Sequence, residues 1–265
     1  MQTRTVLSAV FAFVAAPALA QDGLLGGALH SGWQTEHGTH MAGVEIRLAP
    51  GWKTYWRAPG DAGIPPQFDW AGSENVGSVR IHWPAPEVID QNGLTTIGYH
   101  GDVVLPVEIT PRDPSRPVHL RAHVAFGVCS DICVPAEMRL EAPLLPPGHA
   151  DGALKAALAN RPHTPGERSL TDLTCTVEPI RDGLRLRAAM RLPPQGPGHE
   201  VVVVEPSEPG VWVSGAVVTR ENGWLLAETE MVGPSGAPFA LSRAGLTVTV
   251  IGPKGAVEAK GCPAP

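Results

Sequence analysis

Cys129 and Cys133 are the residues best placed to do chemistry; they flank Ser130-Asp131-Ile132. Two thiols this close can form a disulfide, exchange it with another thiol, or together bind a soft ion such as Cu(I). The flanking pattern predicts what carries them. With the three intervening residues as a hairpin loop, Val128 faces Val134, Phe126 faces Ala136, Val124 faces Met138 and Ala122 faces Leu140. These four pairs are apolar and share one face. The other face pairs His123 with Arg139 and Ala125 with Glu137. A slip of one residue would destroy the partition. Residues opposed in an antiparallel pair have Cα atoms about 4.5–5.5 Å apart, inside the disulfide range.

The other two cysteines are Cys175 and Cys262. In the loop-entropy account, closing the short Cys129–Cys133 loop stabilises by only about 2 kcal/mol, whereas a Cys175–Cys262 bridge would contribute roughly 4.6 kcal/mol. The long-range pair therefore reads as a structural staple, and the pair at the hairpin tip as the labile, reactive one. Four cysteines allow three connectivities, so the pairing is an expectation. Asp131 lies between the thiols, and no Lys or Arg is adjacent in sequence. A nearby carboxylate disfavours thiolate. That fits a disulfide attacked by a partner's thiolate better than an activated nucleophile of the thioredoxin type.

Other candidates are weaker. His37, His40 and Met41 have donor types that bind copper, but the His pair reads as solvated surface. His119 and His123 share a strand face with Cys129, yet His123 is about 20 Å away at strand rise. Gly60-Asp61-Ala62-Gly63 reads as a turn, since no strand–loop–helix context surrounds it. No metal and no cofactor is assigned.

These residues must be held by a β-rich scaffold. The 265-residue chain has 30 Gly and 28 Pro, is 43% hydrophobic, and has a formal net charge of −6. Such a chain can build a core, and its Gly/Pro load favours short elements joined by turns. No basic footprint points to nucleic acid. Residues 1–20 read as an export signal with Arg4, an apolar Val6–Ala16 stretch and an Ala18-Leu19-Ala20 cleavage site. Export to the periplasm, with cleavage after Ala20, is expected, and no later stretch is long enough to span a bilayer. The expected division is 21–148 as a first β-sandwich bearing the cysteine hairpin, 149–166 as a linker with a short helix over Asp151–Asn160, and 167–265 as a second β domain. Strands are predicted around Val44–Leu48, Leu184–Leu192, Val201–Val204 and Leu246–Val250. Val201–Val204 reads as a strand buried on both faces. The fold class is mainly β, two sandwiches in series.

Pro50-Gly51-Trp52-Lys53-Thr54-Tyr55-Trp56-Arg57-Ala58-Pro59-Gly60-Asp61-Ala62-Gly63, then Ile64-Pro65-Pro66, Ile97-Gly98-Tyr99, Val104-Leu105-Pro106-Val107 and Cys133-Val134-Pro135 resemble the N-terminal periplasmic region of DsbD/ScsB-type thiol:disulfide interchange proteins. The resemblance covers about residues 30–145. It implies an immunoglobulin-like sandwich whose redox pair is Cys129 and Cys133. It further implies electrons arriving from a transmembrane donor, here a separate DsbD/ScsB/CcdA-like protein, and passing to periplasmic thioredoxin-fold proteins. The cap that shields the pair in that family corresponds to Asp90–Leu94, which lacks an aromatic; Leu94 is the candidate shield and Asp90 the candidate acidic neighbour. Whether the module is itself an enzyme, a protein-disulfide reductase, is left open. The alternative class is a non-enzymatic copper-binding or copper-tolerance protein using the same thiols.

Overall fold

The computed structural model describes residues 23–60, 62–91 and 93–265. The expected export signal lies outside the described residues. The first half of the chain forms β1 (Leu24–Gln34), β2 (His40–Leu48), β3 (Lys53–Tyr55), β4 (Gln67–Asp69) and β5 (Val76–Ile81). It continues with β6 (Glu87–Gln91), β7 (Leu94–His100), β8 (Val103–Pro111), β9 (Val118–Cys129) and β10 (Cys133–Leu144). The sheets run β1-β2-β8-β5 and β10-β9-β3-β7-β6, with β4 also on β9. All their pairings are antiparallel. This is an immunoglobulin-like sandwich.

Alternation explains the layers. In β2, Ala42, Val44, Ile46 and Leu48 turn inward. They meet Leu105, Val107 and Ile109 of β8, and Leu120, Val124 and Phe126 of β9. The β9–β10 hairpin has the register the apolar partition predicts, from Cys133 opposite Cys129 to Leu144 opposite Val118. Gly27 of β1 permits the close crossing onto β10, since a Cβ there would sit 2.5 Å from Met138 Sδ.

The helix α1 (Gly152–Ala159) is capped by Asp151, whose carboxylate accepts from the Leu154 N–H at 3.0 Å. Such caps satisfy an otherwise orphaned donor. Leu154 is fully buried, and a Cβ on Gly43 of β2 would strike it. The helix therefore lies on the first sandwich.

The second half forms β11 (Asp172–Ile180), β12 (Gly183–Arg191), β13 (Val201–Glu205), β14 (Trp212–Val213), β15 (Val217–Glu221), β16 (Trp224–Val232), β17 (Thr247–Gly252) and β18 (Gly255–Lys260). Its sheets run β11-β12-β16-β14, with β15 on β16, and β13-β17-β18. Leu186, Met190, Leu225 and Met231 pack against Val202, Val204, Val248 and Val257. The β13-β17-β18 sheet is covered on both faces. Val202 and Val204 join the second core, while Val201, Val203, Ile251 and Ala256 pack with the first. Val201–Val204 is thus covered on both faces because a second apolar layer lies on its outer side.

An ion cluster closes this junction. Arg57 donates from both ends of its fork to Glu205, each bond 2.8 Å, and to Glu258 at 2.6 Å. Its guanidinium lies 4.1 Å over the Trp56 ring. Burial pushes its pKa down, but the two carboxylates outweigh that and leave it raised. Among the described residues, no helix is long and apolar enough to cross a membrane.

Candidate functional site

The site is built by three neighbouring strands. β9 lies inside its sheet, flanked by β10 and β3, whereas β10 is the free edge. Cys129 is therefore shielded on both sides and fully buried. Cys133, on the edge strand, is exposed. Their sulfurs are bonded, with Cα atoms 4.1 Å apart. The Ser130 N–H donates to the Ile132 carbonyl at 3.1 Å and closes the tip. Ile132 projects outward, 64% exposed. The pair thus has one inaccessible sulfur and one accessible one.

Tyr55 is the side chain that touches both sulfurs. Its hydroxyl lies 2.8 Å from Cys129 Sγ and 3.0 Å from Cys133 Sγ. A disulfide sulfur carries no proton, so the phenol is the donor. Burial pushes the Tyr55 phenol up, which keeps it protonated and able to donate. Gly127 of β9 makes room for the ring. A Cβ there would meet Tyr55 Cε2 at 2.9 Å and Ile64 Cβ at 2.8 Å.

Lys53 is directly opposite Cys129 in the β3–β9 pairing and opposite His100 in the β3–β7 pairing. Opposed residues point to the same side of a sheet. Lys53 is only 5% exposed, and its Nζ donates to Thr96 Oγ1 at 3.3 Å. Burial lowers its pKa. Neither Tyr55 nor Lys53 emerges from the sequence as a site residue. Both stand in the Pro50–Gly63 segment, and the signal that could have found them is the alternation that puts Lys53 and Tyr55 on one strand face.

Asp90 and Leu94 are not brought to the pair. Their turn ends β7 six residues from His100, the position level with Lys53 and Cys129, or about 20 Å along the ladder. The Asp90 carboxylate accepts from Thr95 Oγ1 at 2.6 Å, and its other oxygen is 3.6 Å from His199. Leu94 is exposed. The turn faces the second half of the chain, and Tyr55 takes the place beside the sulfurs.

Cys175 and Cys262 are bonded, with Cα atoms 5.5 Å apart, and both are buried in the second core. The expectation that His40 is solvated is corrected: it is buried in β2, as is Met41, and His40 Nε2 contacts the Ser31 carbonyl at 2.5 Å. His37 is exposed in the preceding turn. His123 Nε2 lies 3.0 Å from Glu137 Oε2. Among the described residues, no group of three His, Cys, Asp or Glu could hold a metal ion.

Residues 29–145 match the family model described as thiol:disulfide interchange protein DsbD, N-terminal. No curated protein matches the chain. The fold is similar to the crystal structure of the N-terminal periplasmic domain of ScsB from Proteus mirabilis, with a TM-score of 0.65 and 23% identity. That likeness covers 90% of this chain and 92% of the other, so it extends over both sandwiches. Residues 29–145, with the cysteine hairpin at their C-terminal end, are thus similar to the DsbD N-terminal family.

Proposed function

We propose that the chain is a periplasmic thiol–disulfide interchange module. Residues 21–148 form its redox domain, 149–166 the connector and 167–265 a second β domain stapled by Cys175–Cys262. The observation that carries this reading is the asymmetry of the Cys129–Cys133 disulfide, with an exposed sulfur bonded to a buried one beneath a phenol. A partner thiolate can approach only Cys133. Its sulfur bonds to Cys133 Sγ as the S–S bond breaks, and the electron pair passes to Cys129 Sγ. The Tyr55 O–H is already aimed at that sulfur. The partner's second thiolate then attacks the partner's own sulfur in the mixed disulfide and releases Cys133. The partner leaves oxidised, the module is left as a dithiol, and the thiolates take protons from solvent. Reduction of a client is the same sequence reversed: Cys133 attacks the client disulfide, and Cys129 resolves the mixed disulfide.

The match of residues 29–145 to the DsbD N-terminal family model supports a separate membrane protein as the donor and thioredoxin-fold proteins as the other partners. Trapping tests the assignment. Cys129→Ser removes the resolving thiol and should accumulate a mixed disulfide on Cys133 with a thioredoxin-fold protein. Cys133→Ser should trap nothing. Mild dithiothreitol should open Cys129–Cys133 while Cys175–Cys262 persists. If both bridges resist equally and neither variant traps a partner, the exchange reading fails. Thiol-dependent Cu(I) binding in that case would favour a copper-binding protein.

A further inference from the structure

A mixed disulfide constrains more than the two sulfurs. The partner's sulfur has to come within about 2 Å of Cys133 Sγ, so the partner must cover whatever surrounds that cysteine. Val134, Ala136 and Met138 of β10 turn to the first core. Alternation therefore puts Cys133 and Pro135 on the opposite, outer face, where both are exposed. Pro135 lies directly across the ladder from Gly127 of β9. The space over Gly127 is taken by Ile64, which reaches in from the loop between β3 and β4; a Cβ on Gly127 would sit 2.8 Å from Ile64 Cβ. Opposed residues share a face, so Ile64 stands beside Pro135 on the face that bears the disulfide. Ile64 is nevertheless 39% exposed. On the other side of the exposed sulfur, Ile132 immediately precedes Cys133 and is 64% exposed. Two of the seven large apolar side chains exposed among the described residues thus flank the disulfide.

We propose that Ile132, Ile64 and Pro135 form an apolar collar around the Cys133 sulfur, and that the collar is the docking surface for a thioredoxin-fold protein whose own surface beside its reactive cysteine is apolar. The collar selects a protein thiol over a small one, through contacts that a small thiol cannot make. Bond making and breaking stay with Cys133 and Cys129. The inference rests on the exchange reading above and names what that site recognises.

Two features favour this occupant. The collar is continuous with the sulfur that every exchange partner must reach, and the charged side chain of the hairpin loop is Asp131 alone. A peptide adding to the sheet as a further strand fits less well. β10 is the free edge, but it carries Pro135 and Pro143, and a proline on an edge strand withholds the donor that an added strand would need. Docking therefore relies on side chains.

The test is kinetic and uses the whole chain. Reduced bacterial thioredoxin is the protein probe and dithiothreitol the small one. Opening of Cys129–Cys133 by each is followed by alkylation and mass spectrometry. Ile132→Ser should slow reduction by thioredoxin about 5- to 10-fold, as truncation of a contributing interface side chain does, and leave the dithiothreitol rate within about 2-fold. Ile64→Ser should act in the same direction. Val217→Ser, which deletes an apolar side chain 71% exposed on the second sandwich, should change neither rate. The proposal is overturned if Ile132→Ser slows both reductants equally or slows neither, or if Val217→Ser slows thioredoxin as much as Ile132→Ser does. It is also overturned if a second copy of this chain covers the collar, which sedimentation would show as a wild-type dimer that Ile132→Ser dissolves. Should Ile64→Ser fail to fold, Ile132→Ser decides. Failure of dithiothreitol to open Cys129–Cys133 in the wild type would instead count against the exchange reading.

Discussion

Tyr55→Phe isolates one hydroxyl at the centre of the site. The ring is only 2% exposed and fills the space above Gly127, so Phe preserves the packing. What disappears is the donor 2.8 Å from Cys129 Sγ and 3.0 Å from Cys133 Sγ. A hydrogen bond to a neutral acceptor contributes about 0.5–1.5 kcal/mol, and one to a charged acceptor about 1.5–3 kcal/mol. The difference, about 1–1.5 kcal/mol, is what the leaving thiolate gains over the intact disulfide. Tyr55→Phe should therefore slow reduction of Cys129–Cys133 by dithiothreitol roughly 5- to 13-fold. Where the reduced pair is a thiolate, its potential should become about 20–30 mV more negative. Stability should change by no more than about 1 kcal/mol, since a single hydroxyl is deleted. Rates are read by quenching aliquots with a thiol-alkylating reagent and weighing the products by mass spectrometry. Cys175–Cys262 serves as the internal reference. An unchanged rate in a folded Tyr55→Phe protein would refute the claim that the phenol supports the leaving sulfur.

Gly127→Ala places a methyl against Tyr55 and Ile64. It should destabilise by about 1–3 kcal/mol as an overpacking change, read by urea denaturation, and should slow disulfide reduction in the same direction as Tyr55→Phe. Arg57→Met removes the cation that the first sandwich supplies to Glu205 and Glu258, which both lie on the β13-β17-β18 sheet of the second. These groups are about three-quarters buried, so a loss of about 1–3 kcal/mol is expected, between the exposed and buried ranges; a change within error in urea unfolding would show that the apolar layer alone holds the junction. Glu167 is held at about 2, first by the Arg161 guanidinium and then by the Thr164 N–H and hydroxyl. Its folded value is below the ordinary 4.5, so whatever it contributes to stability is complete above that ordinary value and is lost as pH falls toward 2. NMR should place its midpoint near 2, and Arg161→Met should move it upward.

The cysteine hairpin is legible in the sequence because its determinants are local. An alternation of period two leaves a single register in which Val124, Phe126 and Val128 share a face with Val134, Ala136 and Met138, and the structure has that register. The helix at 152–159 is legible for the same reason, since Asp151 caps it and Pro162 follows it. Val201–Val204 shows from its run of valines that both faces are covered, but what covers them is decided by the packing of two cores against one sheet. The chemistry around Cys129 belongs to tertiary structure altogether. No hydrogen-bond donor to the sulfurs is adjacent in sequence, yet β3, more than seventy residues upstream, pairs with β9 and places the Tyr55 hydroxyl beside them. The difference between a buried Cys129 and an exposed Cys133 likewise comes from β9 being interior and β10 an edge. Strand order depends on which apolar faces meet across long loops, and no pattern within a single segment encodes that. For the same reason Asp90 and Leu94 are aligned with a cap by resemblance, while in the fold their turn faces the second half of the chain.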